Sequence, residues 1–245
     1  FNIFFVDHFF ANQKLKHCLP KSQNDLVFDV DSSKEPATET VDAFVEEILR
    51  LKECLPVAVV GVGGGTTLDM AKAVSNLLTN GGKAQDYQGW DLVKRPGVFK
   101  VGVPTLSGTG AEASRTCVLI NKEKNIKLGM NSPYTLFDHL ILDPELSQSV
   151  PREQYFYTAM DTYIHCIESL NGNHRHIFAD QFSNDALKIL REIMLSDDMM
   201  TIENREKLMA ASFLGGSAIG NSYVGVVHPV SAGLSTVLDT HHCVG

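Results

Sequence analysis

Two textures of hydrophobic patterning divide this chain. Up to about residue 143, short apolar runs rich in β-branched residues alternate with helical stripes, which predicts a parallel sheet covered by helices. Phe1-Asn2-Ile3-Phe4-Phe5-Val6 reads as a buried strand closed by Asp7, and Leu26-Val27-Phe28-Asp29-Val30 as a second. Val41, Phe44, Val45, Ile48 and Leu49 then fall at i, i+3, i+4, i+7 and i+8, one apolar helical stripe, with Glu46 and Glu47 on the wet face. Val57-Ala58-Val59-Val60 is the next strand and Gly61-Val62-Gly63-Gly64-Gly65 a glycine turn. The following helix opens at Thr66 with Asp69 three residues on, the spacing of a capping box. A strand near Lys100 to Val103 leads into Pro104-Thr105-Leu106-Ser107-Gly108-Thr109-Gly110, and a hairpin surrounds Asn121 to Asn125. After Asp143-Pro144 the patterns become long and helical: Asp161 to Leu170, Ile177 to Leu195, Ile202 to Ile219, and a segment around His228. The expected organisation is an α/β nucleotide-binding domain over 1–146 and a helical metal-binding domain over 147–245.

The composition narrows the partners. With 245 residues and 44% hydrophobic content the chain can bury a substantial core, and a net charge of −8 argues against a nucleic-acid backbone or an anionic membrane. No apolar run approaches a membrane span. Cys18, Cys54, Cys117, Cys166 and Cys243 are scattered and odd in number, which fits a reducing cytosol and a cytoplasmic location. The apolar opening lacks a basic leader, so a strand is expected there rather than a signal peptide. A start without Met and an ending inside His241-His242-Cys243 lead us to expect a fragment lacking material at both ends.

The chemistry gathers in two places. Asp161 and His165, four apart on a helix, project from one face, and His228 and His242 follow fourteen residues apart. One carboxylate and three imidazoles suit Fe(II) or Zn(II) rather than Mg or Ca. His241 beside His242 leaves the last ligand ambiguous. Glu168, one turn beyond His165, reads either as an acceptor behind a ligand or as helix surface, and surface is the expectation. His8, His17, His139, His174 and His176 read as surface groups. The second place is the glycine run, where a backbone without Cβ atoms and a helix N-terminus suit a pyrophosphate, against the plainer reading of a structural turn. Ser107-Gly108-Thr109-Gly110 adds hydroxyls suited to phosphate or ribose oxygens, and Asp7 at a strand end suits the ribose hydroxyls of NAD rather than NADP, or simply caps the strand.

Gly63-Gly64-Gly65-Thr66-Thr67-Leu68-Asp69-Met70-Ala71-Lys72, Pro104 to Glu112, and Asp143-Pro144-Glu145-Leu146 resemble the iron-containing (group III) alcohol dehydrogenase family in order and spacing. The resemblance implies a dehydroquinate-synthase-like fold and a metal held by Asp161, His165, His228 and His242. It further implies NAD contacts from Asp7, Gly63, Gly64, Gly65, Thr66, Asp69, Thr105, Ser107, Thr109, Ser114 and Lys127. A small-molecule alcohol or sugar-acid substrate is implied too, and a homodimer is left open. Where many members have a further His four residues after the third ligand, this chain has Ala232, and the proline usual before the fourth is His241. Asn221 to Pro229 and Thr240 to Cys243 look closest to the branch that oxidises C8 of 3-deoxy-D-manno-octulosonate (Kdo), an early step toward its amination for lipopolysaccharide. On this reading the metal acts as a Lewis acid on the substrate hydroxyl while nicotinamide accepts hydride. No side chain is assigned as general base, and His241 is a candidate proton relay. The alternatives are a lyase of the dehydroquinate-synthase type, with metal and NAD but no net NADH, and a non-catalytic nucleotide-binding protein.

Overall fold

The computed structural model describes residues 1–238, and contacts divide the chain into two units. The first comprises Phe1–Pro104 with Arg115–Ile141. It holds β1 (Asn2–Asp7), α1 (Lys14–Cys18), β2 (Leu26–Val30), α2 (Thr38–Leu51), β3 (Ala58–Gly63), α3 (Gly65–Asn80), β4 (Gly89–Trp90), β5 (Phe99–Pro104), β6 (Thr116–Asn121), β7 (Ile126–Asn131) and β8 (His139–Leu140). A parallel five-stranded sheet runs in the order β2-β1-β3-β5-β8. A second, three-stranded sheet pairs β6 and β7 as an antiparallel hairpin and adds β4 beside β7.

The core of this unit packs Ile3, Phe5 and Val59 of the sheet against Val41, Val45 and Ile48 of α2 and Met70, Val74 and Leu77 of α3. Each such side chain contributes ~1.5–3 kcal/mol through removal from water. Phe28 and Phe44 flank Phe5, with ring centroids 5.5 and 5.1 Å from it. The predicted α2 stripe departs from the structure at one place: Leu49 is 54% exposed, because the buried stripe ends with Ile48.

The glycine run also behaves differently from its sequence reading. Gly61 and Gly63 are strand residues, in register with Gly102 and Pro104 of β5. A Cβ on Gly61 would lie 2.9 Å from the Ala71 methyl, and one on Gly63 2.6 Å from Thr67, so these glycines let α3 lie close to the strand that feeds it. Gly64 caps α3 and no side chain does. The capping box expected from Thr66 and Asp69 does not form. Asp69 turns inward instead and accepts the Val118 backbone N–H of β6 at 2.9 Å.

The second unit comprises Thr105–Ser114 and residues from Leu142 onward, with helices α4 (Arg152–Asn171), α5 (Ile177–Met194), α6 (Ile202–Ser222) and α7 (Val227–Leu238). Tyr155, Ala159 and Cys166 of α4 pack with Ala186, Leu190 and Ile193 of α5 and Leu208 and Ala211 of α6. Gly215 brings α6 close to α4, since a Cβ there would meet the Thr162 methyl at 2.8 Å. A single boundary near residue 146 is therefore corrected at the segment 105–114, which follows a strand of the sheet yet packs with the helices. No helix among the described residues is long and apolar enough to cross a membrane.

Candidate metal centre

The four-residue spacing of Asp161 and His165 on α4 places both side chains on one face, nearly buried at 8% and 5% exposure. His228 arrives from the first turn of α7, where Pro229 is tolerated because that turn has no intrahelical N–H bond to lose. One ligand atom from each of Asp161, His165 and His228 lies within 4.8 Å of the other two. Asp161 Oδ1 is 3.5 Å from His165 Nε2 and 3.4 Å from His228 Nε2, and the two imidazole rings stack with centroids 4.5 Å apart. For metal–ligand bonds of about 2.1 Å, two donors at a tetrahedral corner stand ~3.4 Å apart. The donor set and its spacing thus fit a borderline divalent ion such as Fe(II) or Zn(II). His242 and His241 lie outside the described residues.

Glu168 corrects its surface reading. It shares the α4 face with Asp161 and His165 and is 7% exposed. Its Oε2 accepts from His228 Nδ1 and its Oε1 accepts the Val227 N–H at 2.5 Å. Burial would raise the Glu168 pKa, but hydrogen bonds from the Gly225 and Val227 backbone and from His228 hold it below the usual range. Burial likewise opposes the charging of His228, and the Asp161 and Glu168 carboxylates outweigh it and hold the imidazole above its ordinary pKa. A carboxylate spaced i+3 from one ligand and i+7 from another was the signal available in sequence.

The residues assigned to cofactor contact fall in both units. In the first, Asp7 Oδ1 accepts from the Phe9 N–H and the Ser32 hydroxyl, both at 2.9 Å, and so caps the turn after β1. Gly63 ends β3, and Gly64, Gly65 and Thr66 form the uncapped start of α3. Thr66 lines a cleft of about 270 Å³ with Asp31, Glu35 and Met70. Asp69 and Lys127 are engaged within the unit. Asp69 stands 3.6 Å from the Lys72 ammonium, and burial outweighs that attraction, pushing the carboxyl up to about 6. Lys127 pairs with Glu35 at 2.9 Å.

In the second unit, Thr105, Ser107 and Ser114 are buried and Thr109 is half-buried. Ser212 of α6 secures their loop: its hydroxyl accepts the Gly108 and Gly110 N–H groups at 2.8 and 3.1 Å and donates to Glu112 at 2.7 Å. Thr162 of α4 donates to the Gly108 carbonyl at 2.5 Å. Gly108 and Gly110 take φ of +129° and +64°, and a Cβ on Gly110 would meet the Gly216 backbone at 2.6 Å. Sequence reasoning missed Ser212, Thr162 and Glu112, whose partners are far away along the chain.

Residues 4–144 match the family described as iron-containing alcohol dehydrogenase, and residues 155–245 the C-terminal region of the Fe-containing alcohol dehydrogenase family. The NAD-dependent methanol dehydrogenase of Bacillus methanolicus is 28% identical over 242 residues, 97% of this chain and 63% of that protein. The sulfoacetaldehyde reductase of Bilophila wadsworthia is 33% identical over 180 residues, 72% of this chain and 46% of its own. Among solved structures, the sulfoacetaldehyde reductase of Bifidobacterium kashiwanohense in complex with NAD+ has a TM-score of 0.83 at 26% identity, over 99% of this chain and 65% of that one. The chain thus spans less than two thirds of the length of these relatives.

Proposed function

The chain belongs to the iron-containing alcohol dehydrogenase family, and from that premise we propose that it oxidises an alcohol, or reduces the corresponding aldehyde, using a divalent metal and NAD. The convergence of Asp161, His165 and His228 on one point carries the reading. Asp161, His165 and His228 would hold Fe(II) or Zn(II), with His242 as the fourth ligand. When bound, the metal supplies polarisation of the substrate hydroxyl, and nicotinamide supplies the hydride acceptor. The backbone N–H groups at the uncapped start of α3 would hold the pyrophosphate, favoured by the positive end of that helix. Asp7 would hold ribose hydroxyls and disfavour a 2′-phosphate, while Thr105, Ser107 and Thr109 would present hydroxyls from a loop fixed by Ser212. The Ala232 side chain offers no proton acceptor, so the alcohol proton would pass to water or to His241.

For the substrate we propose a sugar acid, oxidised at C8 as in Kdo, because Asn221 to Pro229 and Thr240 to Cys243 look closest to that branch, and Ala232 stands where many family members carry a histidine. The test is anaerobic purification with metal analysis, followed by NADH absorbance with Kdo, short diols and primary alcohols. About one metal per chain with NADH formed on Kdo supports the full reading, and activity on small alcohols alone reduces it to a general alcohol dehydrogenase. Bound metal and NAD without net NADH would favour a lyase, and absence of both would leave a non-catalytic protein.

A further inference from the structure

The region around His228 holds a carboxylate to which the proposed chemistry assigns nothing. Glu168 makes two kinds of contact at once. Its Oε1 accepts the Val227 N–H at the start of α7, with a further backbone hydrogen bond from Gly225, while its Oε2 faces His228 Nδ1. A negative charge at that helix start also opposes the helix dipole favourably. Gly225 is what admits it, because a Cβ there would press on the Glu168 carboxylate at 3.0–3.2 Å.

A carboxylate has acceptors and no donor, so it requires the proton of the neutral His228 ring to sit on Nδ1. Nε2 also faces a carboxylate, Asp161 Oδ1, but at 3.4 Å, beyond the usual N–H···O range, whereas Glu168 Oε2 is in hydrogen-bond contact with Nδ1; the closer carboxylate takes the proton and the Nε2 lone pair stays on the side of Asp161 and His165. We infer that Glu168 is a positioning residue that fixes the tautomer of His228 and anchors the chain entering α7, so that Nε2 is presented as a ligand. This rests on the metal reading above but does not depend on turnover. Glutamine cannot replace it. Whichever way its amide turns, its NH2 faces either the His228 ring nitrogen or the Val227 N–H. The first forces the ring proton onto Nε2, where it blocks ligation, and the second sets donor against donor.

The test compares wild type, Glu168→Gln and Glu168→Asp. Long-range proton–nitrogen NMR on the metal-free chain at alkaline pH reads the His228 tautomer, assigned by its loss in His228→Gln. Competition with a chromophoric chelator reads Zn²⁺ affinity. Wild type should show Nδ1–H at His228. Glu168→Gln should shift the ring toward Nε2–H and weaken Zn²⁺ binding about 10–100-fold, while Glu168→Asp keeps the tautomer. An Nε2–H ring in wild type overturns the inference, even if Glu168→Gln does not fold. An unchanged tautomer and affinity in Glu168→Gln overturns it equally. A wild type that takes up no metal would sink the metal reading, and the tautomer would still decide the role of Glu168.

Discussion

Ser212→Ala tests whether the loop 105–114 is held by one hydroxyl. The side chain is fully buried and makes three hydrogen bonds, accepting from the N–H groups of Gly108 and Gly110 and donating to Glu112. Alanine removes all three without changing helix propensity unfavourably. Each buried N–H left without an acceptor costs ~1–3 kcal/mol. Two of them, softened by local relaxation or an entering water, amount to about 3 kcal/mol. With a urea m-value of ~3 kcal/mol/M, the unfolding midpoint followed by circular dichroism should fall by ~1 M at constant m. NAD affinity, measured by fluorescence quenching, should weaken in parallel, because Thr105, Ser107 and Thr109 lose the geometry the hydroxyl imposes. A midpoint within ~0.2 M of wild type, with NAD binding unchanged, would show that the backbone conformation of Gly108 and Gly110 suffices and would refute the reasoning.

Other perturbations separate the remaining parts. His228→Ala should abolish metal uptake and turnover while leaving NAD affinity near wild type; loss of NAD binding with metal retained would reverse the assignment. Asp69 has its folded pKa raised from 3.8 to about 6 by burial, so the folded state binds the proton more tightly than the unfolded chain. Its contribution is therefore greatest at low pH and falls as pH rises through that window, by ~3 kcal/mol in all. Stability of Asp69→Asn minus wild type should climb between pH ~4 and ~6 and level off above, and a flat difference curve would contradict the burial argument. Tyr223 ends α6 with φ +70° and ψ 166°, a conformation natural only to glycine. Tyr223→Gly should raise stability by ~1 kcal/mol in urea unfolding; an unchanged or lower midpoint would refute the strain argument and assign the larger energy to the contact of its ring with His174, 4.6 Å between centroids.

What the sequence determined was everything governed by local period. The α2 stripe was legible because Val41, Val45 and Ile48 repeat at helical spacing and share one buried face. The pairing of Asp161 with His165 was legible for the same reason, since a four-residue step on a helix fixes direction without knowledge of anything else. The motifs around Gly63, Ser107 and Asp143 carried the family. What only the tertiary structure decided were contacts between residues far apart in the chain. The i+3 and i+7 spacing puts Glu168 on the ligand face of α4, but only the arrival of α7, sixty residues later, gives its carboxylate a donor to accept from. The segment 105–114 follows a strand and reads as part of the sheet domain, yet Ser212 and Thr162 tie it to the helices. Asp69 stands where a capping residue would, and the uncapped glycine start of α3 leaves it free to serve β6 instead. A side chain's direction follows from its own helix or strand, but its partner is set by whichever distant segment the folded chain brings within hydrogen-bond reach.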